Sequence, residues 1–118
     1  MDPHELRVRT RQFALRIFRL AESLPETPTA RVIRNQMLRS GSSVGANYRA
    51  ACRAKSKPDF ISKLGTVEEE TDETIYWIEL LIDTGIVKPN RIADLLDEAD
   101  QILSIVIASI KTARRSQH

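Results

Sequence analysis

Apolar residues recur along this chain at alternating spacings of three and four, with polar positions between them, in four separate stretches. That period marks amphipathic helices packed near 20° to one another, and no stretch alternates as a half-buried strand would. The first seam is Leu6, Phe13, Ile17, Leu20 and Leu24, and the second is Ile33, Met37, Ser40, Val44, Tyr48 and Ala51. The third is Phe60, Leu64, Val67, Thr71, Thr74, Ile78 and Leu81; the fourth is Ile92, Leu96, Ala99, Leu103, Val106, Ile110 and Ala113. Pro3, Pro28 and Pro58 each stand where a first helical turn can begin, with Asp2 and Thr27 as N-caps before two of them. Gly85 followed by Pro89 marks a stop, and Asn90 is the expected cap of the fourth helix. The pattern predicts helices over about residues 4–24, 28–55, 58–84 and 90–115. Short connections make neighbours antiparallel. The expected fold is all-α: one domain over residues 1–118, an up-down-up-down four-helix bundle.

One stretch resists this reading. Residues 39–48, RSGSSVGANY, have the composition of a loop. Yet the second seam crosses Gly41 and Gly45 without a phase slip, which a true break would usually reset. Each glycine costs about 0.8–1 kcal/mol against alanine inside a helix. The helix is therefore expected to continue, with close approach of a neighbouring helix offsetting that cost; a break remains the alternative.

Composition adds bounds. The chain has 118 residues, enough for one core, with 42% hydrophobic and 29% charged residues. No apolar run approaches a membrane span, and MDPHELRVRTR has no apolar signal-peptide region, so a cytoplasmic protein is expected. The single Cys52 fits a reducing compartment and reads as a small packing residue. The net charge of +2 conceals an asymmetry. Residues 1–57 hold twelve Lys/Arg against four Asp/Glu, a net +8, whereas residues 58–118 hold six against twelve, a net −6.

On helical wheels the charge forms stripes. Arg31, Arg34, Arg49 and Arg53 fall opposite the second seam; Glu69, Asp72, Tyr76, Glu79 and Asp83 line the outer face of the third helix. Either stripe is a solvated face or a binding surface. Val8, Leu15 and Phe18 lie well away from the first seam, and Ile105 lies off the fourth. A lone bundle has no use for apolar residues on two sides, so these four are candidates for a self-association surface.

Catalytic chemistry is hard to build here. A di-iron carboxylate site in a bundle needs Glu-x-x-His pairs facing inward, and the only histidines are His4 and His118, both terminal. Glu70 and Glu73 are expected to pair with arginines of a neighbouring helix. Cys52 and the serines have no internal histidine as base, and Gly41 and Gly45 lack the context of a phosphate loop. The residues point away from an enzyme and call for no metal and no cofactor. Asn47, near the buried edge of the second helix, is expected to fix register across a helix interface, with a ligand role as the alternative.

The pattern Gln36-x-x-Arg39-x-x-x-Ser43-Val44-x-Ala46-Asn47 resembles the second-helix signature of the bacterial four helix bundle proteins, named for proteins encoded in intervening sequences of 23S rRNA genes. ISKLGTVEEETDETIYWIELL resembles their third helix, and the likeness covers essentially the whole chain. The resemblance implies an antiparallel bundle assembled into a ring-like homo-oligomer, with five subunits favoured. A relative, the accessory protein of diversity-generating retroelements, has a basic surface and associates with a reverse transcriptase and nucleic acid. Many members carry Glu, often followed by Gly, shortly after the motif Asn, where this chain has Ala50 and Ala51. A role tied to that carboxylate is not expected here.

Two functions stay open. One is a non-catalytic accessory protein that binds RNA or DNA through Arg7, Arg11, Arg31, Arg34, Arg49, Arg53, Lys55 and Lys57, with the Lys111–Arg115 tail. Phosphate contacts of this kind are weakly sequence-specific, and no interleaved aromatics offer single-strand sequence readout. The other is a scaffold module whose stripes serve self-assembly alone. Gly41, Ser43, Gly45 and Asn47 form the small-residue packing motif in either case.

Overall fold

The computed structural model describes residues 1–116 and contains four helices: α1 (Pro3–Glu22), α2 (Pro28–Cys52), α3 (Lys57–Asp83) and α4 (Pro89–Arg115). No strand occurs among the described residues. His118 lies outside them. Helices of this length run about 30–40 Å, and connections of a few residues cannot return the chain along that length. Consecutive helices therefore reverse direction, giving an elongated body of 51 × 22 × 20 Å.

Local chemistry sets the helix ends. Asp2, Thr27 and Ser56 sit at the first three N-caps, each accepting a backbone N–H three residues on, with proline in each first turn. At α4 the expected cap is displaced: the helix already starts at Pro89, so Asn90 lies inside it and Lys88 occupies the cap without a side-chain hydrogen bond. After α3, Gly85 adopts a left-handed φ of 74°, letting Gly85 N–H reach the Ile82 carbonyl and Val87 N–H the Leu81 carbonyl.

α2 is unbroken through RSGSSVGANY. A Cβ on Gly41 would stand 2.9 Å from Ile17 Cγ2, and one on Gly45 would stand 3.3 Å from the Thr10 carbonyl group. These contacts set residues 10–17 of α1 against residues 41–45 of α2, with Gly45 directly against the α1 backbone. Thr10, fully buried, fills the gap in the first seam and spends its hydroxyl on the Leu6 carbonyl at 2.9 Å.

All of the second seam is buried, and the third except Phe60, which is half-buried. α4 is rolled slightly from its expected orientation. Leu95 and Ile102 are buried, while Leu96 and Leu103 are half-buried at its flank. Its apolar arc is wide enough that either line of residues satisfies the period.

The cross-helix polar contact in the core is not made by Asn47. Asn47 Nδ2 donates to the Ser43 carbonyl of its own helix at 2.8 Å, and Ser43 Oγ donates to the Arg39 carbonyl at 2.8 Å. Instead, Thr74 Oγ1 lies 2.8 Å from Ser40 Oγ between α2 and α3, both residues fully buried. A buried hydroxyl without a partner costs about 1–3 kcal/mol, so this pair disfavours slippage of the two helices. Among the described residues no buried side-chain polar atom lacks a partner.

α1 meets α4 over the smallest contact of the four neighbouring pairs. There Arg9 makes a two-pronged bond to Glu98, Nε to Oε2 at 2.8 Å and Nη2 to Oε1 at 2.6 Å, and Nη2 also reaches Gln101 Oε1. Glu98 holds the Arg9 guanidinium above its usual pKa.

Candidate nucleic-acid interface

The two flanks of α2 carry different chemistry. At 100° per residue, Gln36, Arg39, Ser43 and Asn47 turn toward α3, while Gly41 and Gly45 turn toward α1. On the α3 side, Arg39 pairs with Glu70 at 3.1 Å and with Glu73, and the Trp77 indole N–H donates to Glu73 at 3.1 Å. The Trp77 bond, then Arg39, holds the Glu73 carboxyl below its usual pKa, so the cluster is ionised and mutually satisfied. Its carboxylates are occupied by arginine and indole, and no group of His, Cys, Asp and Glu suited to a metal ion occurs among the described residues.

On the α1 side the outer seam opens into a groove of about 540 Å³. Close approach of the glycines leaves its floor shallow and smooth, with Ala14, Ser42, Gly45 and Ala46. Arg7 and Arg11 line it from α1, one helical turn apart; Arg49 and Arg53 line it from α2, again one turn apart. His4 and Val8 complete the lining, which contains no carboxylate. Unlike Arg9, Arg34 and Arg39, these four arginines make no ion pair within 4.0 Å among the described residues, so their charge faces solvent. Guanidinium forks set on two walls suit the oxygens of a phosphodiester chain.

The remaining basic candidates lie elsewhere. Arg34 is tied to Glu26 at 3.1 Å, and Arg31 is exposed farther along α2 toward its start. Lys55 follows α2 in the loop, where its backbone N–H donates to Asp59. Lys57 Nζ reaches Ser116 Oγ at 2.5 Å, which fastens the start of α3 to the end of α4. Lys111, Arg114 and Arg115 are exposed.

Val8, Leu15 and Phe18 are 46%, 38% and 38% exposed on α1. Ile105 is half-buried against the core and lines a separate groove with Phe60 and Lys57. Val32, 58% exposed, is not evident from the sequence because it stands alone between arginine and isoleucine. Ala14 and Ser42 are equally hard to foresee, since their signal is indirect: small residues one or two turns from arginines on two facing helices. Glu69, Asp72, Tyr76, Glu79 and Asp83 are all exposed on α3.

No helix among the described residues is long and apolar enough to cross a membrane. No curated protein matches the chain. Among solved structures, it is similar to a protein of unknown function from the S23 ribosomal protein family of Bacteroides thetaiotaomicron. The two share 36% identity over 94% of this chain and 99% of the other, with a TM-score of 0.87. The family model described as 23S rRNA-intervening sequence protein matches residues 4–108, a span that includes all of α1 but its first residue, all of α2 and α3, and most of α4. By that match, and by the four helices that carry it, the chain belongs to the 23S rRNA-intervening sequence protein family.

Proposed function

We propose that this protein is a non-catalytic cytoplasmic accessory protein that assembles with copies of itself and holds nucleic acid by its phosphate backbone in the α1–α2 groove. The observation that carries this reading is a single groove lined by Arg7, Arg11, Arg49 and Arg53 with no carboxylate. Binding there is weakly sequence-specific, because phosphates carry no sequence information. The partners implied by the resemblance, ribosomal RNA or a reverse transcriptase with its nucleic acid, both bring such a polyanion. Val8 and Leu15 supply the apolar surface for self-association, with Ile105 on α4, and a ring of five is the assembly the resemblance favours.

A second reading is favoured by the exposed acidic face of α3. In a scaffold module, Glu69, Asp72, Glu79 and Asp83 of one copy dock on the arginines of another. The double substitution Arg49→Glu with Arg53→Glu separates the two. Under the first reading RNA binding, followed by fluorescence anisotropy, is abolished while the mass by light scattering is unchanged. Loss of the assembly instead supports the scaffold.

A further inference from the structure

The groove has two chemically different ends. Its arginines cluster toward the start of α1, Ala14 and Ser42 close the other end, and Phe18 follows one helical turn beyond Ala14. On the α1 wheel Phe18 falls within about 20° of Arg7 and of Arg11, continuing their row past Ala14. Leu15 sits some 60° farther round, on the outermost face with Val8. Phe18 is thus on the α2 flank of α1, the same side as the groove, whereas Arg9, which holds α4, is on the opposite flank. It is 38% exposed, a ring with an open surface beside a basic channel.

Resting on the nucleic-acid reading above, we infer that the groove takes a single strand, with a base stacked on Phe18 and the adjoining phosphates held by the arginines. A channel between two packed helices is narrow, since their axes lie about 8–10 Å apart. Guanidinium groups on both walls clamp one chain of phosphates from two sides. A duplex presents a convex surface that touches only the rim. A positively charged groove with an aromatic platform is the general means of holding single strands without reading their sequence. From His4 along the groove to Phe18, one turn past its Ala14 end, the path is about 21 Å, fourteen residues at 1.5 Å. That length accommodates at most about six phosphates at duplex-like spacing of ~3.4 Å, and fewer in an extended strand.

The test uses the full chain and three probes: labelled oligothymidine of increasing length, duplexes of matching length, and inorganic polyphosphate, which has phosphates but no bases. Single-strand affinity is expected to exceed duplex affinity and to stop rising with length at about six nucleotides per subunit. With four phosphates neutralised, log affinity falls against log salt with a slope of about −2.8. Phe18→Ala weakens the oligonucleotide about 5- to 140-fold and leaves polyphosphate binding unchanged, while Phe18→Trp restores the oligonucleotide. Duplex binding as tight as single-strand binding overturns the inference, as does an unchanged oligonucleotide affinity in Phe18→Ala. In both cases loss of binding in Arg49→Glu/Arg53→Glu shows that the groove reading survives. If that double variant binds all three probes normally, the groove reading falls and the inference with it. Leu15→Ala controls for assembly: equal losses in Leu15→Ala and Phe18→Ala, with a reduced mass, assign Phe18 to the subunit interface and overturn stacking.

Discussion

Glycine plays opposite parts in α2 and α3. At Gly41 an added Cβ would press on Ile17 at 2.9 Å, and Ile17 is fully buried with no room to retreat. Gly41→Ala gains about 0.8–1 kcal/mol of helix propensity but overpacks the core, which typically costs about 1–3 kcal/mol. The expected outcome in urea denaturation is a loss of up to about 2 kcal/mol. Gly65, inside α3, has nothing within 4 Å of its Cβ position, so Gly65→Ala should raise stability by about 0.5–1 kcal/mol. Equal responses at the two sites would remove the close-approach account of α2. Much at this scale was legible: unbroken phase across the glycines implied a continuous helix, and composition alone argued the reverse. The Ser40–Thr74 bond was not legible. Period identifies both as core-facing, but their meeting depends on the axial stagger of α2 against α3, which no local pattern encodes.

Helix ends and flanks carry the next level of information. Three helices have side-chain N-caps, and α4 has Lys88, a cation beside the positive end of the helix dipole. Lys88→Asp supplies both a cap acceptor and a favourable charge, and thermal unfolding should report a gain of about 0.5–2 kcal/mol. An unchanged midpoint would mean that the α3–α4 connection, not the cap, limits this end. Asn90 looked like the cap because it is a favoured residue type in the right neighbourhood, yet Pro89 at the first helical position places the cap two residues earlier, at Lys88. The roll of α4 was hidden for a related reason. Leu95, Leu96, Ile102 and Leu103 are all apolar, so the period could not choose between adjacent lines. The groove was half legible: Arg7, Arg11, Arg49 and Arg53 are visible as charges, but their convergence comes from antiparallel pairing of α1 with α2 at the stagger set by Gly41 and Gly45.

Across the whole molecule the charge is divided: residues 1–57, with α1 and α2, carry a net +8, and residues 58–118, with α3 and α4, a net −6. In the assembly proposed above, the basic side of one copy would attract the acidic side of another, and the exposed ridge of Val8 and Leu15 would give that attraction an apolar centre. Leu15→Glu should yield a folded monomer, with an unchanged helical circular dichroism spectrum and a smaller mass by light scattering. An assembly that survives the change would remove α1 from the interface. The narrow α1–α4 contact, fastened mainly at Arg9 and Glu98, has a consequence in time rather than in space. A ring of four helices with one weak seam breathes there first, while α2 and α3, joined by the broadest contact, stay closed. Native-state hydrogen exchange should therefore find the slowest amides in α2 and α3, and Arg9→Ala should accelerate exchange in α1 and α4 while sparing that central pair. The arginines of α1 would then ride on the more mobile wall of the groove, and those of α2 on the fixed one.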